Sequence, residues 1–200
     1  RKATTAPKCG ATGIASTGYY MPKLMEEVLG SKFDIVSGYV SGQDIDLAVE
    51  RGELQCRAFT ITAYHAREPF TTWRKKKFTN ILIQTGTKRD PRLKESPTIY
   101  ELMDRYKVGE AGRSLTKVIL ASGDFGRPLV FAPGVPADRV KILRDAFDKT
   151  VTEGAFLAEA ERRRLEIDPS QWDEMESLAK EVMATPADVV ARMRKLLGDS

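Results

Sequence analysis

The stretch CGATGIASTGYYMPKLMEEVLGSKFDIVSGYV (9–40) holds most of what the chain reveals about its fold. Lys8 to Ala11 suits a short strand end. A glycine-rich loop with three small hydroxyl residues follows. Tyr20, Leu24 and Val28 then recur at helical spacing beside Met21, Met25 and Leu29, and Gly30 supplies a stop. FDIVSGYV (33–40) is rich in β-branched and aromatic residues and reads as a buried strand. Strand, loop, helix and strand in that order make the unit of an α/β layer with a largely parallel sheet.

The loop invites a phosphate reading, and its details reject it. A P-loop needs GxxxxGK[ST], with the Lys on the phosphates. Here the glycines are Gly10, Gly13 and Gly18, and no Lys follows Gly10 until Lys23. The same spacing fails the dinucleotide pattern GxGxxG. What remains is a helix start, whose unpaired N–H groups attract carboxylates as readily as phosphates. Proline is tolerated only in a helix's first turn, so Pro22 sets the expected start near Gly18. That leaves Thr12, Ser16 and Thr17 in the loop, either facing a ligand or, for Ser16 or Thr17, capping the helix.

GYVSGQDIDLAVERGEL (38–54) repeats the pattern. A strand ends in Ser41-Gly42, and Ile45, Ala48 and Val49 fit a short helix ended by Gly52. Asp44 near its start suits a cap and the helix dipole. Ligands of open α/β sheets gather at the carboxyl ends of strands, so two such loops on one edge would form one anion-receptive rim.

Further strands are expected at LQCRAFTI (54–61), FTNILIQTG (78–86) and RPLVFAP (127–133). Ala63 to Trp73 reads as helical or irregular. The polar segment 85–98, with two prolines, reads as a connection between lobes. Helical periodicity returns at 99–106 and 112–121. The last third is helical: one helix opens at Pro136 with Val140, Leu143, Phe147 and Val151 as its buried stripe, and others cover 155–164 and 172–183. In the fourth, Thr185 caps, Pro186 follows at the first position, and Val189, Met193 and Leu196 form the apolar side. These helices need a sheet to cover, and the chain offers little beyond its first part. Part of the protein is therefore expected to be missing.

Composition limits the function classes. At 42% hydrophobic and 30% charged, the chain is an ordinary globular one, with no apolar run near the ~20 residues that span a bilayer. It opens RKATTAPKCG without an initiating Met or a visible signal peptide, and is read as a processed product or a fragment. The net charge is +4, but only Arg74, Lys75, Lys76 and Lys77 form a basic run. There is no basic stripe with interleaved aromatics, so nucleic acid is not an expected partner.

Two cysteines and one histidine are too few for a structural zinc site, which takes about four N or S ligands. Cys9 and Cys56 are expected to be two buried thiols on strands. A disulfide would require neighbouring strands and an oxidising compartment. There is no GxSxG elbow, and His65 has no nucleophile motif beside it. No cofactor is expected, and an enzyme using Cys9 or His65 is the lesser alternative.

Several segments together resemble one family. These are residues 10–54 as quoted above, ILIQTGTKRDPRLKESPTIYEL (81–102), GRPLVFAPGVPADRVKILRDAF (126–147), GAFLAEAERRRLEIDPSQWDEM (154–175) and TPADVVARMRKLL (185–197). In this order they resemble the substrate-binding proteins of tripartite tricarboxylate transporters, the Bug family, over nearly the whole chain. The resemblance implies a type II periplasmic-binding-protein fold: an α/β lobe with a mostly parallel sheet, plus C-terminal helices that normally complete a first lobe. It places the second, ligand-clamping lobe at 1–84, the crossing segment at 85–132 and the C-terminal helical part of the first lobe at 133–200. The rest of that first lobe would lie ahead of this chain. It implies a monomeric, non-enzymatic periplasmic protein that captures a small organic acid and delivers it to membrane transporter subunits. A sensor or docking protein of the same fold is the alternative. Carried residue by residue, the ligand-binding positions are Thr12, Gly13, Ser16, Thr17 and Gly18, with Ser41 and Gly42 in the second loop and Tyr39 as a wall. One departure stands out: the family often has Asp-Gly after the Gly-Glu pair, where this chain has Gln55 and Cys56.

Overall fold

The structure is a computed structural model that describes residues 4–198. It is α/β, built on one short parallel β-α-β unit. β1 (Lys8–Ala11) and β2 (Asp34–Ser37) pair in parallel, with Lys8 opposite Asp34 and Ala11 opposite Ser37. Between them runs α1 (Thr17–Leu29), closed by Gly30 in the left-handed conformation. Its buried face carries Met21, Pro22, Leu24, Val28 and Leu29; of the expected stripe, Tyr20 and Met25 are only half-buried, and Pro22 joins it. That face packs with Ile99 and Met103 of α5 (Ile99–Arg105), Leu115, Ile119 and Leu120 of α6 (Glu110–Asp124), and Val189 of α10 (Ala187–Leu197). This is the main hydrophobic core.

The helix starts at Thr17, one residue before the expected Gly18. Pro22 thus lies past the first turn. It lacks the N–H that would bond to the Gly18 carbonyl, and its ring is fully buried.

Other elements are α2 (Gly42–Glu50), α3 (Ile61–Ala66), α4 (Phe70–Lys75), α7 (Ala137–Thr152), α8 (Gly154–Arg162) and α9 (Trp172–Met183). A second small cluster joins Ile45, Ala48 and Leu54, and a third joins Tyr64, Phe70 and Trp73.

Three expected strands do not form. In 54–61 only Cys56 makes a single parallel bridge, to Cys9, and Ile61 already begins α3. In 78–86 only Gln84 is bridged, to Thr98. Residues 127–133 carry no strand, and Leu129 and Val130 are each 82% exposed. A strand exists only where a neighbour takes up its backbone N–H and C=O groups. β1 takes up the backbone of Gln55 and Cys56 only, pairing in 78–86 stops at the single Gln84 bridge, and among the described residues no backbone is paired with 127–133. The sheet is parallel as expected, but has two strands. β2 is its edge strand and shorter than 33–40: Ile35 and Val36 are half-buried, and Val40 is 94% exposed.

The polar connection 85–98 is ordered by a buried amide. Gln84 Nε2 donates to the carbonyls of Leu93 and Ser96, while its Oε1 accepts from the Asp90 N–H. Ser96 Oγ donates to the Ile81 carbonyl, and α5 opens with a capping box of Thr98 and Glu101.

The chain divides into two compact units. One runs to Leu120 and resumes at Thr185; the other is Ala121–Ala184. In the first, α10 returns onto the main core, where Val189 is buried and Met193 and Leu196 pack against it, the expected apolar side. Pro186, rather than Thr185, takes the capping position. In the second, Arg144 lies 3.8 Å over the Trp172 ring and pairs with Glu176. The stripe expected to be buried on α7 is not: no residue of that helix is buried, and Leu143 is 53% exposed. Val140, Phe147 and Val151 are half-buried.

Candidate ligand-binding site

Parallel pairing puts the carboxyl ends of β1 and β2, Ala11 and Ser37, side by side. Each strand opens into a loop that leads to a helix N-terminus. The Gly38 and Tyr39 N–H groups both donate to the Ala11 carbonyl, at 3.1 and 3.3 Å, so the second loop starts against the base of the first. Gly38 has φ +103°, which only glycine adopts readily, and this bend turns the chain back.

Within the first loop, Ser16 Oγ donates to the Gly13 carbonyl at 2.6 Å. Ser16 is the N-cap of α1, but its side chain makes no capping bond to the helix. The amides of the first turn are therefore not satisfied by that hydroxyl. Thr12 is exposed, and no hydrogen bond is formed by its hydroxyl among the described residues. Thr17 belongs to the helix rather than the loop, with its Oγ1 3.4 Å from the Tyr20 hydroxyl.

The glycines divide by role. A Cβ on Gly18 would lie 2.5 Å from the Gly10 carbonyl oxygen and 3.1 Å from Ala11 Cα. Gly18 is what lets α1 approach β1. Gly10 is equally confined, by Leu54 and Ile45. A Cβ on Gly13 would meet nothing within 4 Å, so packing does not demand glycine there.

Within the second loop, Ser41 caps α2: its Oγ accepts from the Asp44 N–H and donates to Asp44 Oδ2 at 2.7 Å. Tyr39 packs against the Ile45, Ala48 and Leu54 cluster. Gly42, the first residue of α2, gives its carbonyl to Arg57 Nη1 at 2.9 Å. The same Nη1 pairs with Asp46 one turn further along α2. Burial pushes the Asp46 carboxyl above its ordinary range; Arg57 pulls it back, and Glu50 adds to the rise.

Arg57 was not a sequence-derived candidate. It sits in a segment read as a strand, and nothing in the spacing ties it to Asp46, eleven residues earlier. Its guanidinium lies 5.5 Å from the Phe59 ring and 5.4 Å from the Phe70 ring.

Cys9 and Cys56 are not two buried thiols but a disulfide, with Cα atoms 4.5 Å apart. The Gly10 N–H donates to the Cys56 carbonyl and the Cys56 N–H to the Lys8 carbonyl, which bring the two cysteines into register. The Cys9 sulfur is thereby no nucleophile. His65 lies beside the third cluster, with Nδ1 3.1 Å from Arg74 Nη1 and its ring edge-on to Tyr64. Among the described residues, no group of three or more His, Cys, Asp or Glu side chains is placed to hold a metal ion. No helix among them is long and apolar enough to cross a membrane.

This architecture has a solved counterpart. The chain shares its fold with a TctC solute-binding protein from Polaromonas, whose crystal structure holds no ligand. The TM-score is 0.63 at 16% sequence identity. The superposition covers 98% of this chain and 58% of that one, so the chain spans a little over half the length of its structural counterpart. No protein-family model matches the sequence. No curated protein matches it either.

Proposed function

We propose that this chain belongs to a periplasmic solute-binding protein that captures a small organic acid for a tripartite tricarboxylate-type transporter, and that it carries the ligand-clamping lobe. One observation carries the reading: two parallel strand ends, Ala11 and Ser37, open side by side into loops that lead to helix N-termini. Such ends offer unpaired N–H groups and partial positive charge to a carboxylate. Likeness of fold to a solute-binding protein supports it.

In this reading the ligand meets the Thr12 hydroxyl, the backbone of Gly13, the helix start at Ser16, Thr17 and Gly18, and the second loop at Ser41 and Gly42, with Tyr39 as a wall. Gly18 contributes through its first-turn amide as well as its packing. Backbone N–H groups replace the anion's water shell, and closure of an opposing lobe excludes water. Residues 1–84 form the clamping lobe, 85–132 the crossing segment, and 133–200 the helical part of the first lobe. The exposed Leu129, Val130 and Leu143 would then face the rest of that lobe.

The protein works as a monomer, hands its ligand to membrane subunits and needs no cofactor. The disulfide supports an oxidising compartment such as the periplasm. With the Cys9 thiol consumed in it, a cysteine enzyme loses its nucleophile.

Titration calorimetry against a panel of mono-, di- and tricarboxylates tests the reading. Saturable heat with one acid class is expected. Saturable binding of a nucleotide with no response to any acid overturns it.

A further inference from the structure

We infer that Arg57 is a positioning residue for the second rim loop, acting through the Gly42 carbonyl and Asp46 to set the direction of the first-turn amides of α2. The inference rests on the proposed anion-binding rim for its purpose, but its geometry stands by itself.

Arg57 Nη1 donates both to the Gly42 carbonyl and to the Asp46 carboxylate. Gly42 and Asp46 are four residues apart on α2, hence on one face and about one turn apart. A single guanidinium therefore grips that turn at two heights. The peptide between Gly42 and Gln43 is planar and trans, so its C=O and N–H point in opposite directions. Fixing the Gly42 oxygen fixes the Gln43 N–H, which in a helix points toward the N-terminus. That is the direction of the rim. Ser41 caps only the Asp44 N–H, and leaves the Gln43 amide for another acceptor.

The grip is itself anchored. Arg57 directly follows Cys56, which is bonded to Cys9 of β1. Its guanidinium is flanked by Phe59 and Phe70, and its side chain is 13% exposed. Arginine suits the role better than lysine because its planar group can serve a carbonyl and a carboxylate together while resting on aromatic rings. The Asp46 carboxylate neutralises the arginine charge. Anion attraction at this loop is thus assigned to the amides that Arg57 aims, rather than to the guanidinium.

Nuclear magnetic resonance of the backbone amides and calorimetry with succinate and citrate, on the full chain, test this. Three variants are compared: Arg57→Lys, which keeps the charge, the double variant Asp46→Asn with Arg57→Gln, which leaves no buried charge unpaired, and Arg113→Lys as a control at a different Arg–Asp pair. In both rim variants the Gln43 and Asp44 amide signals should shift and exchange faster with solvent, while those of Leu115 and Ile119 stay in place. Affinity for the acid that binds should fall about tenfold or more, the scale of one charge-assisted hydrogen bond. Arg113→Lys should move neither reading. Unmoved Gln43 and Asp44 signals in the two rim variants overturn the inference. If the unmodified chain binds neither acid, nor any other carboxylate, the anion reading falls; the amide signals still decide whether Arg57 orients the loop.

Discussion

Cys9 and Cys56 join the central strand of the rim to the segment that carries Arg57, across 47 residues of sequence. β1 thus has β2 on one side and the Cys56 bridge on the other. In a sheet this small, the covalent link replaces pairing that further strands would supply. Cross-links over loops of this size typically stabilise by about 2–4 kcal/mol. Reduction, or Cys9→Ala with Cys56→Ala, should lower the thermal midpoint by roughly 4–16 °C for a chain of this length. Calorimetry with and without a reductant checks this, and an unchanged midpoint would show the link to be dispensable.

Gly18 and Gly13 should respond oppositely to alanine. At Gly18 the new Cβ would sit 2.5 Å from the Gly10 carbonyl, forcing α1 away from β1. A loss of about 1–3 kcal/mol is expected, the usual cost of overpacking. At Gly13 nothing lies within 4 Å, so the change should stay within about 0.5 kcal/mol. Urea denaturation of both variants separates them, and equal stabilities would contradict the close approach.

Thr12 offers a cleaner probe of the proposed site than the serines, whose hydroxyls are engaged locally. Thr12→Val should leave stability within about 0.5 kcal/mol, since the side chain is exposed and its hydroxyl makes no hydrogen bond among the described residues. Affinity for the organic acid should nonetheless drop about tenfold, the scale of one hydrogen bond lost on binding. Full affinity in this variant removes Thr12 from the site. Ser41→Ala, in contrast, should cost stability by about 0.5–2 kcal/mol, because its oxygen caps α2.

Asp90 carries an acid-dependent contribution. Hydrogen bonds from Arg92 and its guanidinium charge hold its pKa at about 2, below the ordinary 3.8. A folded pKa below the unfolded one means stability that is present above about pH 4 and lost as pH falls through 2. Arg92 is 43% exposed, so solvent screening limits the gain to about 1 kcal/mol. Asp90→Asn should therefore be less stable than the parent at pH 6, with the gap closing near pH 2. A gap that persists at the acid end would assign the effect to something other than ionisation.

Local pattern in the sequence was enough for the elements that need few distant partners. The α1 stripe, α9 over its whole length, and the apolar side of α10 follow from periodicity, because a helix satisfies its own backbone and declares its buried face every three to four residues. The loops after β1 and β2 were legible for the same reason: strand ends, glycines and caps are neighbours in the chain. Strands at 54–61, 78–86 and 127–133 were not, since apolar content suggests a strand but only an adjacent backbone makes one. The same holds for the site's less visible parts. No spacing rule brings Cys9 to Cys56 or Arg57 to Asp46 and Gly42; those meetings depend on β1 receiving a neighbour on its second side. Sequence alone determined an α/β chain with two glycine-bearing rims and no nucleotide motif. The tertiary structure decided that the two loops share one edge, that Gly18 serves packing, that Cys56 is bonded to Cys9 and that Arg57 pairs with Gly42 and Asp46. Side-chain periodicity is encoded locally, whereas backbone pairing and covalent cross-links depend on residues that meet only after the chain has folded.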